Sequence, residues 1–521
     1  MVACPNCGGK MYFNIPEQQL KCEYCGSDIP VENYKEDNSA VEYTDMNVYS
    51  CKQCGAEILC DDDAMVTYCS YCGSEAVLKG RVGGENPSTV IPFQISKEQC
   101  KEKYEVQIRT LPFVPKELKK AEFLEKFRGI YIPYKQYDFK YDQHYDLPAT
   151  QKETIGNYEY TKKITVTLDS EGQIINRQFD LSAGFDDNIA RRIGSFNTEA
   201  EKAFHPGYLA GFYADKTNVE ESQYDSIAQE DTDAAVCRDF QSTLSRQGIT
   251  LDVDTEDQKK LFQGKPAGKT KKLFPVWFLT WRKKDRVSYV IMNGQSGELS
   301  ADLPVDTASF GLTAAIVAVI LFFLLNLVLS ITAKSVLPLC SIMACVALYI
   351  FYREIRKLMY KENHIYDRGY RGKDVRMPSE KVQKLRNRQK GVGSIGSHII
   401  AVLSVGIGLF FGISLELSIL SIVICPILAL WMFIKIAQDT KYIDEKTEAM
   451  TSLISLVCIA LAGGISLIEP VADYWYYGGS ILCMLSSLLL CLTLIHCYNK
   501  LATRSIPSFF QREGGKNDEK D

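Results

Sequence analysis

Up to about position 305, short apolar runs and polar stretches alternate with the periods of strands and helices. Thr89-Val90-Ile91-Pro92-Phe93 has the residue types of a short strand. Ser96 and Gln99, three positions apart, make a capping box, which predicts a helix running to Ile108. Pro115 suits the first turn of a second helix, extending through Phe127. Beyond Gly129, the aromatics Tyr137, Phe139 and Tyr141 recur at every second position, the period of a half-buried strand, and 164–168 repeats it. Phe274-Pro275-Val276-Trp277-Phe278 reads as a further strand. Glu171-Gly172 and Asn293-Gly294 predict hairpin turns, the second after a strand at 287–291, and one helix is predicted over 224–246. Residues 86–305 therefore read as an α+β domain with a mainly antiparallel sheet.

From 308 onwards the pattern changes to long apolar runs. A helix crossing about 30 Å of hydrocarbon needs roughly 20 apolar residues. Spans are predicted at 308–332, 336–352, 399–415, 417–434, 452–468 and 478–497, giving an all-α membrane domain of about six helices over 308–500. The 353–398 loop holds 13 Lys/Arg against five Asp/Glu, whereas the loops assigned to the opposite side contain only Lys334, Glu416, Glu469 and Asp473. Basic loops stay inside, so the loop, both termini and the 501–521 tail are expected to be cytoplasmic. Tyr474-Trp475-Tyr476-Tyr477 fits an aromatic belt at the outer interface. Within the spans Asn326 is the one strongly polar residue, with Glu416, His398 and His496 at ends, which favours anchoring over a conduction path. The basic loop also suits anionic lipid headgroups.

The 521 residues carry a net charge of −5, divided into −11 over 1–307 and +6 over 308–521. This is the pattern of a soluble assembly attached to a membrane, and it excludes a purely soluble enzyme. Met1-Val2-Ala3-Cys4 offers no basic n-region or apolar stretch, so the front is expected to stay in the cytoplasm.

Nine of the 18 cysteines precede position 73. Cys4, Cys7, Cys22 and Cys25 form two CxxC pairs, and Cys51, Cys54, Cys69 and Cys72 repeat the spacing 47 residues later. Four thiolates at about 2.3 Å suit a soft tetrahedral ion, and two tight turns facing each other supply them. A glycine follows the second cysteine of every pair (Gly8, Gly26, Gly55, Gly73), where positive φ lets the chain turn around the sulfurs. Met11-Tyr12-Phe13 and Met65-Val66-Thr67-Tyr68 add strand residues between the pairs. Two tandem zinc ribbons are predicted, at 1–34 and 46–80, with zinc as the cofactor; four thiolates would also serve iron. No ligand position stays open, so both sites read as structural, not catalytic. Cys60 falls outside the pattern and reads as a loop residue.

Other candidate chemistry is sparse. The 264–270 segment looks like a phosphate loop, but it has three residues between its glycines where four are needed, contains Pro266 and precedes a strand; it reads as a flexible basic loop. His144 and His205 have no ligand partner in the pattern, and Cys100 reads as a packed thiol. Nucleic acid is disfavoured as a partner, because residues 1–85 are acid-rich, including Asp61-Asp62-Asp63, and each four-thiolate zinc site adds a formal −2.

With these residues assembled, the chain resembles a family of bacterial membrane proteins, common in Gram-positive species, that carry transcription-factor-IIB-type zinc ribbons and are often mislabelled after a replication-restart helicase. The resemblance lies in the cysteine pairs, Val90-Ile91-Pro92-Phe93, Phe113-Val114-Pro115-Lys116, Gly129-Ile130-Tyr131-Ile132-Pro133-Tyr134, Tyr208-Leu209-Ala210-Gly211-Phe212-Tyr213-Ala214-Asp215 and the stretch from Leu273 to Gly297. It implies a docking platform that is no enzyme, associated with SPFH-domain and phage-shock-A-like proteins in envelope-stress protection, with the eight cysteines as metal ligands. The chain departs from those relatives in its number of spans. The leading expectation is a membrane-anchored adaptor that binds partner proteins and touches membrane lipids. A nucleic-acid-binding membrane protein and a transporter or channel subunit are the alternatives.

Overall fold

A computed structural model of the chain describes residues 2–34, 47–51, 53–54, 56–60, 69–72, 77–81, 87–155, 158–169, 173–182, 187–215, 217, 224–253, 257–258, 261–328, 333–367, 375–389, 420–443 and 446–506. Its two longest strands, Arg128–Tyr141 and Lys265–Lys283, pair antiparallel from Lys265 opposite Lys140 to Phe278 opposite Arg128. Their apolar residues occupy successive positions, so both faces of the pair need cover. Tyr131, Leu273, Trp277 and Leu279 look into one core; Ile130, Ile132, Phe274, Val276 and Phe278 look into another. The expected half-buried period holds further along, where Tyr137, Phe139 and Tyr141 are buried while Asp138 and Lys140 are not, and again over 164–168; the 129–137 stretch before it is buried on both faces.

Arg286–Asn293 extends the sheet antiparallel to Lys265–Lys283, and Leu299–Ala301 pairs with it in turn. The turn between them is wider than a two-residue hairpin: Asn293 N–H bonds to Glu298 O at 2.9 Å, and the positive φ falls on Gly297. Gly294 is needed for a close approach, since a Cβ there would lie 2.6 Å from the Phe93 ring.

One core is closed by the first four-cysteine segment and helix Lys97–Thr110, whose Ser96/Gln99 capping box forms as predicted. The second predicted helix is broken. A 3₁₀ turn, Lys116–Lys119, and a single α-turn, Ala121–Leu124, are separated by extended Lys120, and Leu118, Leu124 and Phe127 all reach the same core.

Residues 171–172 lie outside the described ones, but their flanking strands do not form the expected hairpin. Gln173–Asp180 pairs with Arg128–Tyr141, whereas Tyr158–Asp169 pairs with His144–Ile155 in a separate three-stranded sheet. The 144–169 hairpin is thus inserted between two strands of the main sheet. Helix Asp225–Arg246, close to its predicted position, packs Leu244 against Leu147, Ala149 and Leu251 of the smaller sheet. The 264–270 segment is not a loop either: Lys265 onwards is the first part of the 19-residue strand, with a register shift between Pro266 and Gly268. Among the described residues its lysines sit where the strand has a neighbour on one side only, a charged edge that resists further pairing.

Four helices among the described residues are long and apolar enough to cross a membrane: Ala333–Glu362, Ser421–Tyr442, Thr447–Ile468 and Tyr474–Ala502. They fit a membrane protein. The apolar helix Thr307–Val328 precedes them. The predicted span at 399–415, the Glu416 join and residues 507–521 lie outside the described residues. Glu448 and Lys500, outside the predicted spans, lie within these longer helices and form a buried ion pair at 2.8 Å.

The last helix returns to the main sheet. Arg504–Ser505 pairs with Arg286 and Val287, and Arg286 donates to the Lys500 and Thr503 carbonyls and to Glu362 at 2.7–2.8 Å. Sheet and helix bundle are therefore joined by hydrogen bonds as well as by the chain.

Candidate metal centres

The first unit folds as a three-stranded antiparallel sheet of its own, Met11–Asn14, Gln19–Cys22 and Asp28–Pro30. Its two cysteine turns lie before and after the central hairpin. Gly8 and Gly26 have φ of +71° and +72°, and their N–H groups bond back to the Cys4 and Cys22 carbonyls at 2.8 and 3.1 Å. Sulfurs are thereby brought to 3.6 Å (Cys4 to Cys25) and 3.5 Å (Cys7 to Cys22). The turns aim backbone N–H groups at them: Gly9 N lies 3.4 Å from Cys7 Sγ and Cys25 N 3.5 Å from Cys22 Sγ.

The second unit has the same sulfur geometry, with Cys51 to Cys72 at 3.5 Å and Cys54 to Cys69 at 3.7 Å. In each unit all four sulfurs lie within 4.8 Å of one another. A tetrahedron of thiolates around an ion at about 2.3 Å has edges of about 3.8 Å, so the donor set fits a four-coordinate metal. Each group is able to hold one ion, and the structure brings all eight predicted cysteines into these two groups.

Their surroundings differ. Strands Asn47–Cys51, Glu57–Cys60 and Val77–Arg81 join the main sheet, because Tyr213–Asp215 pairs with Glu57–Cys60 on one side and Arg128–Tyr141 on the other. The unit predicted over 46–80 thus shares its sheet with the middle domain, and Cys60 ends a strand instead of lying in a loop. Cys51, Cys54, Cys69 and Cys72 are at most 1% exposed, whereas Cys7 and Cys25 of the first unit are exposed. Gly55, Gly73 and 65–68 lie outside the described residues.

The Cys69–Cys72 turn is fastened by residues that sequence reasoning missed. Tyr71 Oη donates to Asp215 at 2.6 Å, Ser182 donates to the same carboxylate, Thr280 donates to Ser70 O and Tyr289 to Tyr71 O. Asp215 is fully buried, and burial together with that carboxylate pushes the Tyr71 hydroxyl far above the ordinary tyrosine value. Tyr71 stands within a cysteine pair, but its partner is 144 positions away, so no local pattern linked them.

Thiol ionisation is uneven in both cages: against the Gly9 N–H, which lowers it, Cys25 and the other sulfurs push Cys7 up to about 12. The Ser27 hydroxyl and backbone hold the exposed Cys25 thiol down to about 6. In the buried cage Cys54, Cys69 and Cys72 hold Cys51 low, and Cys51 in turn pushes Cys54 and Cys69 up. A metal ion needs its thiols deprotonated, so filling either cage couples metal binding to proton release.

The remaining candidates are structural. His144 is exposed, 3.7 Å from Asp169. His205 Nδ1 accepts from Gly207 N at 3.0 Å, and its ring meets Tyr34 edge-on. Cys100 is buried on its helix.

The chain is 26% identical over 309 residues to the uncharacterized protein YdjG of Bacillus subtilis (strain 168), an alignment covering 58% of this chain and 89% of that protein. No family model and no solved structure matches the chain.

Proposed function

We propose that the chain is a membrane-anchored adaptor whose two zinc ribbons and α+β domain recruit partner proteins at the cytoplasmic face of a multi-pass anchor. The reading rests chiefly on one observation. The first unit turns its metal site outwards, with Cys7 and Cys25 exposed and Tyr24, between Cys22 and Cys25, 87% exposed. An aromatic side chain held out on a rigid turn loses little freedom on binding and is a common anchor at protein interfaces. Four thiolates leave zinc no open position, which supports a recognition role over a catalytic one. The basic 353–398 segment, no simple loop since 353–362 continue the helix Ala333–Glu362 and Ser379–Gln389 is a helix of its own, supports an orientation with the cysteine units and both termini inside. SPFH-domain and phage-shock-A-like proteins, implied by the family resemblance, are the first partners to examine.

Pull-down from solubilised membranes tests the proposal, comparing the intact chain with Tyr24→Ala and with Cys4→Ser/Cys22→Ser. Partners captured by the intact protein are expected to be lost from both variants. An identical set of partners in all three would refute docking through the first ribbon.

A further inference from the structure

A cavity of about 410 Å³ opens where the main sheet meets the ends of two apolar helices. Five cations line it: Arg191 and Arg192 from the short helix Asp187–Arg192, Lys357 and Lys361 from Ala333–Glu362, and Arg504 just past the last helix. Two carboxylates, Asp302 and Asp367, stand against them. Arg192 grips Asp302 with both terminal nitrogens, at 2.6 and 2.8 Å, and Lys361 lies 3.7 Å from it. Lys357 reaches Glu354 at 2.6 Å, and Arg504 lies over the Tyr289 ring at 4.3 Å. Counting Glu354, the walls keep an excess of two positive charges.

We infer that this cavity binds the phosphate of an anionic phospholipid headgroup. Guanidinium groups match phosphate oxygens in geometry as well as charge. The depth of the site selects the lipid over a dissolved phosphate. Lys357 lies five residues beyond Tyr352, about 7.5 Å of helix, and Leu501 four beyond Cys497, about 6 Å. That is the thickness of the polar layer outside the hydrocarbon core. Tyr360 and Leu501 give the cavity an amphipathic wall suited to the glycerol region of a lipid. The inference rests on the membrane reading of the helices and is independent of any partner protein.

The test is native mass spectrometry of the full chain in detergent, with phosphatidylglycerol or phosphatidylcholine added. Preferential retention of phosphatidylglycerol is expected, reduced about tenfold or more in Arg191→Gln/Lys357→Gln and kept in the charge-preserving Arg191→Lys/Lys357→Arg. Excess inorganic phosphate should not strip the lipid. Equal retention of both lipids, unchanged retention in the charge-removed variant, or displacement by inorganic phosphate would overturn the proposal. Because no partner protein enters the assay, its failure is distinct from failure of the adaptor reading, which the pull-down reports.

Discussion

The two four-cysteine units share one spacing and one sulfur geometry, yet they lie against opposite faces of the same sheet and are held in different ways. Cys4 and Cys22 of the first unit pack into the core that contains Tyr131 and Trp277; all four cysteines of the second belong to the core that contains Ile130, Ile132 and Phe278. The first keeps a private three-stranded sheet and rests on the domain through contacts such as Phe13 N to Ala210 O at 3.0 Å and the Phe13–Tyr208 ring pair. The second gives its strands to the main sheet. The same motif can therefore be an appendage or part of the core, and what decides is the pairing available to its strands.

The largest effect is expected from Cys51→Ser/Cys72→Ser. A structural zinc site is worth about 10–16 kcal/mol to small domains, as much as a whole domain's net stability of about 5–15 kcal/mol. The main sheet should lose cooperative unfolding, and the hydrogen-exchange protection of 128–141 and 265–283 should fall with it. Cys4→Ser/Cys22→Ser should instead lose one ion and the hydrogen-exchange protection of residues 2–34, while 128–141 and 265–283 stay protected. If the two double variants unfold to the same extent, the units are equivalent and the contrast fails.

Smaller changes sharpen the contrast. Tyr71→Phe removes one of the donors to fully buried Asp215, a cost of about 1–3 kcal/mol, and should loosen the second site alone. Denaturation and metal-release rates measured on the variant check both statements. Tyr34→Phe removes the 2.9 Å bond to Ala3 O and should cost about 0.5–1.5 kcal/mol, confined to the first unit, as read by hydrogen exchange over 2–34.

What the sequence made legible was local. Eight cysteines, the Ser96/Gln99 cap, the Asp225–Arg246 helix and most of the apolar helices follow from spacing and period over a few residues. Strand partnership does not. Tyr158–Asp169 and Gln173–Asp180 adjoin in sequence and look like a hairpin, but the first, mostly exposed, turns back on its other neighbour His144–Ile155, and only the second joins the buried strand Arg128–Tyr141. Lys265 to Thr270 resembles a loop because its lysines are those of a strand edge. The Tyr71–Asp215 bond and the Glu448–Lys500 pair join positions 144 and 52 apart, and neither residue carries a local mark of its partner.

The most direct test of the account is the metal content of the purified full-length protein and the time course of its release to a strong chelator. Two ions per chain are expected, leaving in two phases, with the fast phase abolished by Cys4→Ser/Cys22→Ser and the slow one by Cys51→Ser/Cys72→Ser. A preparation that holds no metal would contradict the two cages, and release of both ions in one phase would contradict the difference between them.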